Sequence, residues 1–184
     1  MAATTASQAD TPLQLLARLE ARSHNETKGL PDGRDSSLYW EGFAFQVAGQ
    51  QLLASMDEIS EILIQVPPVT RVPGAKPWVR GVVNFRGNLL PLMDLQQLMG
   101  GKPLGIDRHT RILVVNREGV SSGLLVAGVA GRKRFPRSEL AAAEILDPGL
   151  APLIEGAAWI DGEQWPIFSL ARLHAYPDYH SAAR

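Results

Sequence analysis

One long-range feature limits what this 184-residue chain can fold into: Trp78–Leu98 recurs without gaps as Leu153–Leu173, 75 positions later. Gly81 falls on Gly156, Gly87 on Gly162, Pro91 on Pro166, Leu95 on Leu170 and Leu98 on Leu173. Val79/Ile154, Phe85/Ile160, Leu92/Ile167 and Met93/Phe168 agree in character, and upstream Phe43–Gly49 resembles Ile112–Gly119. A fixed-period match of this kind marks a duplicated structural unit. Each half should therefore hold one copy of a five- or six-strand unit.

The shared positions have structural explanations. Asp161-Gly162 between two apolar runs is a hairpin signal, because glycine supplies the positive φ that a two-residue turn requires. Gly87 occupies the same place in the first copy. Pro91 and Pro166 cannot donate to a ladder, which predicts an edge strand or a bulge. Leu95/Leu98 and Leu170/Leu173 are spaced one turn apart, as on a short closing helix that caps a barrel's end. Leu38–Val47 is aromatic-rich but alternates poorly, while Arg111–Asn116 and Gly123–Val129 are short apolar runs bounded by polar or glycine residues. Many short strands at such spacing predict an all-β barrel or sandwich.

Ahead of these strands, residues 1–10 are small and polar and read as a disordered start. Thr11-Pro12 then offers an N-cap, and Leu13, Leu16 and Ala17 follow at helical spacing, so 12–22 reads as one short helix. Residues 23–37 have linker composition. The expected organisation is an extension at 1–37, a folded domain at 38–178 with subdomains at about 43–100 and 110–175, and a tail at 179–184. A further helix is expected at 139–146, with Ser138 as N-cap and Pro148-Gly149 beyond it.

Composition then excludes several classes of function. The formal charge is −1 from 18 basic and 19 acidic residues, without the basic face of a nucleic-acid or anionic-membrane binder. With no cysteine, thiolate metal sites and cysteine nucleophiles are ruled out. No secretory signal opens the chain, and no apolar run reaches the roughly 18 residues of a membrane span, so the expected location is the cytoplasm. His24, His109, His174 and His180 lack metal-ligand spacing, and neither a nucleophile elbow nor a phosphate loop is present. Ser121-Ser122-Gly123 reads as a turn, Arg132-Lys133-Arg134 as a charged loop, and Asp57, Glu58 and Glu61 as a solvated acidic face. No convergent set of titratable groups assembles, which argues against an enzyme and points to no cofactor.

The duplication also acts as an internal control, since residues serving the fold should agree between copies. Asn84 faces Trp159, Arg86 faces Asp161 and Asp94 faces Ser169. These three are read as released from folding. Arg86 is the most suggestive, because a guanidinium at a hairpin tip presents five fixed donors to carboxylates or carbonyls.

The run from Val72-Pro73 through Trp78-Val79, Arg80-Gly81, Val82-Val83-Asn84, Phe85-Arg86-Gly87 to Pro91-Leu92-Met93-Asp94-Leu95 resembles the signature of the CheW family. That family comprises adaptors linking chemoreceptors to the histidine kinase CheA. The upstream Ile59-Ser60-Glu61-Ile62 resembles its V-x-E-I segment, and the likeness spans roughly residues 40–175. The resemblance implies two five-stranded SH3-like β-barrels facing one another across a shared core. It implies a non-catalytic role as well, with docking on the kinase's regulatory domain and a groove for the receptor's cytoplasmic tip. Mapped by motif, its partner-binding residues are Asn84, Arg86, Gly87, Glu61 and Ile62. The extension, with Leu13–Leu19, Trp40 and Val69–Gly74, is similar to PilI-type adaptors of the twitching-motility (type IV pilus) pathway, recruited to membrane-bound receptor arrays. The second copy departs from the signature, since Trp159-Ile160-Asp161-Gly162 has no arginine. An alternative expectation is a small-molecule sensor with a pocket between the barrels, lined by Trp78, Trp159 and Trp165.

Overall fold

The computed structural model describes residues 38–117, 119–144 and 148–181. The helix expected at 12–22, the linker at 23–37 and the last residues of the chain lie outside them. The elements follow in the order β1 (Tyr39–Val47), β2 (Gln50–Ser55), β3 (Ile59–Leu63), β4 (Val79–Phe85), β5 (Asn88–Asp94), α1 (Leu95–Leu98) and β6 (Arg111–Arg117). Then come β7 (Val120–Val126), β8 (Gly128–Pro136), β9 (Leu140–Ala141), β10 (Ile154–Ile160), β11 (Glu163–Phe168), α2 (Leu170–Ala175) and α3 (Pro177–His180). They form two SH3-like β-barrels, one on a sheet ordered β3-β6-β7-β5-β4 and the other on β8-β1-β2-β11-β10-β9. The second carries a sixth, two-residue strand, β9, beyond the five expected.

Neither barrel is built from a single copy of the repeat. The first copy's hairpin β1–β2 lies in the sheet with β8, β10 and β11, and the second copy's hairpin β6–β7 lies with β3, β4 and β5. Each copy thus lends its first hairpin to the other's barrel. The joins are short parallel pairings: Leu92–Asp94 of β5 against Gly123–Leu125 of β7, and Ile167–Phe168 of β11 against Leu53–Ala54 of β2.

This exchange explains why the apolar runs fail to alternate. Ala44, Leu53, Phe135, Ala158 and Ile167 fill one barrel, while Val83, Leu90, Leu92, Ile112, Val114 and Leu125 fill the other. Phe45, Leu52, Ala54, Leu113, Val115, Leu124 and Val126 point the opposite way, into a third core between the barrels. A strand buried on both faces carries no polar side for a period of two to reveal. Leu95, Leu98, Leu170 and Leu173 also enter this central core. The short helices therefore seal the joint between the barrels and do not cap an outer end.

The turns follow the sequence closely. Ala48-Gly49, Arg86-Gly87 and Asp161-Gly162 all have positive φ at both residues, the two-residue geometry that matches strand twist. Gly81 and Gly156 stand at equivalent bulges in β4 and β10. Pro91 and Pro166 lie in strands with a neighbour on each side, but each precedes by one residue the point where the parallel ladder begins. The edge predicted for them exists only locally.

Three expectations are corrected. Ser138 and Glu139 belong to a single 3-10 turn (Arg137–Glu139), after which Leu140–Ala141 pairs with Ala157–Ala158 as β9. The alanines suited a helix, but pairing to β10 satisfies the same backbone groups at an open sheet edge; residues 145–147 lie outside the described set. Ser121-Ser122-Gly123 is strand, not turn, with Ser122 buried. Arg132-Lys133-Arg134 is also strand: Arg132 and Arg134 both pair with Glu41 on β1, and Lys133 lies 4.9 Å over the Trp165 ring.

Candidate functional site

The β4–β5 hairpin closes at Phe85↔Asn88, leaving Arg86 and Gly87 as a two-residue turn. Arg86 has φ +52° and Gly87 φ +84°. A Cβ at Gly87 would meet nothing within 4 Å, so glycine is needed there for its backbone conformation alone. The Asn84 side chain supports the turn from below, its Oδ1 accepting the Gly87 N–H at 3.0 Å. Its counterpart Trp159 cannot do this and stands 48% exposed on β10. Asn84 is therefore bound to the fold, contrary to the expectation that its divergence released it.

Asp94 is corrected likewise. It is fully buried, caps α1 by accepting the Gln97 N–H at 3.0 Å, accepts the Leu104 N–H at 2.8 Å and pairs with Arg80 at 3.2 Å. Its counterpart Ser169 caps α2 through the Arg172 N–H. The two residues differ in chemistry and share a task. Of the three divergent positions Asp94 is buried, Asn84 is exposed but tied back to its turn, and Arg86 is exposed with its side chain bound to no backbone group of the turn.

Glu61 reaches the hairpin from the opposite edge of the same sheet. Its strand β3 shifts register against β6 between Ile59 and Glu61, and at the bulge Ser60 donates to the Val114 carbonyl at 2.8 Å. Glu61 meets Arg86 at 2.5 Å. Since β3 and β4 are the two edges of this sheet, the pair spans the barrel's seam. The Arg86 side chain is 71% exposed and its guanidinium lies 5.2 Å from the Phe85 ring centroid. An ion pair this exposed adds at most about 1 kcal/mol to stability, so its geometry matters more than its energy.

The structure thus brings Arg86 and Glu61 into contact and places Asn84 and Gly87 in the same turn. Ile62 is not part of that surface: it is half-buried and packs on the central core. Two exposed residues were missed by the sequence reading, Leu89, paired across the hairpin with Asn84, and Ile64, just past β3. Leu89 could have been found, because Leu90 and Leu92 face inward and force it out. Of the acidic face, Glu58 accepts the Leu170 N–H at 3.2 Å and Glu61 holds Arg86, so neither is merely solvated.

The three tryptophans do not share a pocket. Trp78 packs on the central core, Trp165 on the core of the second barrel, and Trp159 faces solvent. Among the described residues no group of three or more His, Asp or Glu side chains could hold a metal ion, and no helix is long and apolar enough to cross a membrane.

Residues 41–176 match the family model described as CheW-like domain. The chain is 36% identical over 166 residues to Protein PilI of Pseudomonas aeruginosa, covering 89% of this chain and 91% of that one. It is 29% identical to Chemotaxis protein CheW of Thermotoga maritima over 61% of this chain and 74% of the relative. Among solved structures it resembles the scaffolding protein TtCheW from Thermoanaerobacter tengcongensis with a TM-score of 0.64 at 21% identity, over 71% of this chain and 89% of that one, a likeness of fold.

Proposed function

We propose that this chain, which belongs to the CheW-like domain family, is a non-catalytic adaptor coupling a chemoreceptor to a CheA-type histidine kinase. The near full-length similarity to PilI favours the pathway that drives type IV pilus twitching, at the cytoplasmic face of receptor arrays. The observation that carries the reading is the placement of Arg86. It is held at the tip of a tight hairpin, 71% exposed, with its guanidinium oriented by Glu61 at 2.5 Å. A fixed, planar set of donors on a rigid turn suits recognition of a partner's carbonyls or carboxylates. Leu89 and Ile64 supply exposed apolar surface on the same barrel. Asn84 and Gly87 act here through the turn they hold, and Ile62 through the strand that carries Glu61.

The test is titration of the purified chain against the kinase's regulatory domain and against the receptor's cytoplasmic tip. Wild type binds, and Arg86→Glu weakens binding by about tenfold or more, an interface loss of about 1.4 kcal/mol or above, with an unchanged melting midpoint. Wild-type chain that engages neither partner would sink the proposal. Arg86→Glu binding both as tightly as wild type would remove Arg86 from it.

A further inference from the structure

The segment from Val66 to Pro77 lies across β4 as a strap, irregular up to Thr70 and then turning at Val72–Ala75, where the Ala75 N–H donates to the Val72 carbonyl at 3.3 Å. Thr70 and Val82 exchange both backbone hydrogen bonds, at 2.9 and 2.8 Å. Gly81 admits this approach, since a Cβ there would stand 2.2 Å from the Thr70 carbonyl oxygen. Beside the strap lie two hollows that share Val72, Ala75 and Val79 as a common wall. One, of about 280 Å³, is completed by Pro73, Gly74, Gly81, Val82 and Pro91, with no charged group among its lining. The other, of about 480 Å³, carries Arg71, Lys76 and Arg80, with no carboxylate among its lining.

The three cations are not equivalent. Arg80 is pinned by buried Asp94 at 3.2 Å and by the Leu104 carbonyl, so its position is fixed. Lys76 rests 4.8 Å over the Trp78 ring and touches the exposed Asp178 at 3.1 Å, a contact weak enough to exchange. Arg71 is exposed and makes no ion pair or hydrogen bond with any described residue, leaving its charge uncompensated. An apolar hollow adjoining a cationic one of this size suits a single small molecule with an anionic head and an aliphatic tail.

We propose that the strap hollows form a binding site for a soluble amphiphilic anion, a carboxylate or phosphate monoester on a short alkyl chain. Arg71 and Lys76 hold the head, and Val72, Val79, Val82 and Pro91 cover the tail. The site is separate from the Arg86–Glu61 surface and does not depend on the adaptor reading.

Octanoate and octyl phosphate are titrated into the isotope-labelled full chain and followed by amide shifts. Acetate and inorganic phosphate serve as head-only probes, octanol as the tail-only probe, and phosphatidylglycerol vesicles test a membrane source. The amphiphiles move the Val72, Ala75, Val79 and Gly81 resonances and bind at least about tenfold more tightly than either half-probe, since two subsites add their contributions. Arg71→Glu and Val72→Asp, both at exposed positions that leave the melting midpoint unchanged, each weaken that binding by about fivefold or more. Half-probes binding as well as the amphiphiles, binding indifferent to Arg71→Glu, or attachment to vesicles without binding of the soluble amphiphiles would each overturn the proposal.

Discussion

Arginine has no intrinsic preference for the left-handed region, where its Cβ crowds the following carbonyl oxygen at a cost of roughly 1–2 kcal/mol. Arg86 nevertheless sits there at φ +52°, as do Ala48 and Asp161 in the equivalent two-residue turns. The exposed contact with Glu61 returns at most about 1 kcal/mol of that cost. Arg86→Asn should therefore be as stable as wild type or more stable by up to about 1 kcal/mol, as measured by urea denaturation, while partner binding falls. A loss of stability beyond about 1 kcal/mol would mean that Arg86 serves the fold. The same scale shows why comparing the repeat copies identified one functional candidate and misled on two. Asp94 and Ser169 are both helix caps, and Asn84 supports its turn by a hydrogen bond that Trp159 replaces with nothing. A difference in chemistry between copies signals release from folding only when neither side chain meets the backbone.

At the scale of elements, Gly81 and Gly156 look identical in the sequence and are not equivalent. Both stand at a bulge, but only Gly81 has φ +140° and the strap pressed against it. A Cβ at Gly156 would meet only the Ala141 carbonyl, at 3.3 Å. Gly81→Ala should cost about 3 kcal/mol and detach the strap, and Gly156→Ala about 1 kcal/mol or less, both read from chemical denaturation. Equal costs would show that the bulge, and not the strap, requires the glycine. The terminal helix α3 makes a second elemental contact, Tyr179 against the hydroxyl of buried Ser122 on β7. Burial pushes the phenol's pKa up, outweighing the Ser122 hydrogen bond that lowers it. The folded chain thus keeps this proton to a higher pH than the unfolded one. Its stabilising effect is complete below the ordinary phenol value near 10 and is lost as pH rises through the raised value. Tyr179→Phe should remove this alkaline component while costing about 1 kcal/mol at neutral pH, from the unpaired Ser122 hydroxyl. Melting midpoints of both chains from pH 8 to above about 10 test it; parallel curves would refute it.

At the scale of the whole molecule, the exchange of hairpins means that neither copy can close a barrel alone. Leu104 is tied to Asp94 and Arg80, whereas Gly105 and Ile106 are exposed, which makes that step the place to divide the chain. Fragments cut there should be unfolded separately and should recover native circular dichroism when co-expressed, and the intact chain should unfold in one transition. Independent folding of either fragment would show that the interweaving is dispensable. The division between copies was readable in the sequence; the division between barrels was not, because it runs through both copies.

What the sequence determined by itself was local or periodic: the duplicated unit, the turns at Arg86-Gly87 and Asp161-Gly162, and the short helices carrying Leu95/Leu98 and Leu170/Leu173. These follow from backbone demands within a few residues, which glycine, proline and capping side chains state directly. Only the tertiary structure decided which barrel each hairpin joins, that Glu61 reaches Arg86 across the seam, and that Arg71, Lys76 and Arg80 gather beside an apolar hollow. Those contacts join residues far apart in the chain. Their partners are chosen by the closing of three adjoining cores, and strands buried on both faces carry no pattern that says which core each face will meet.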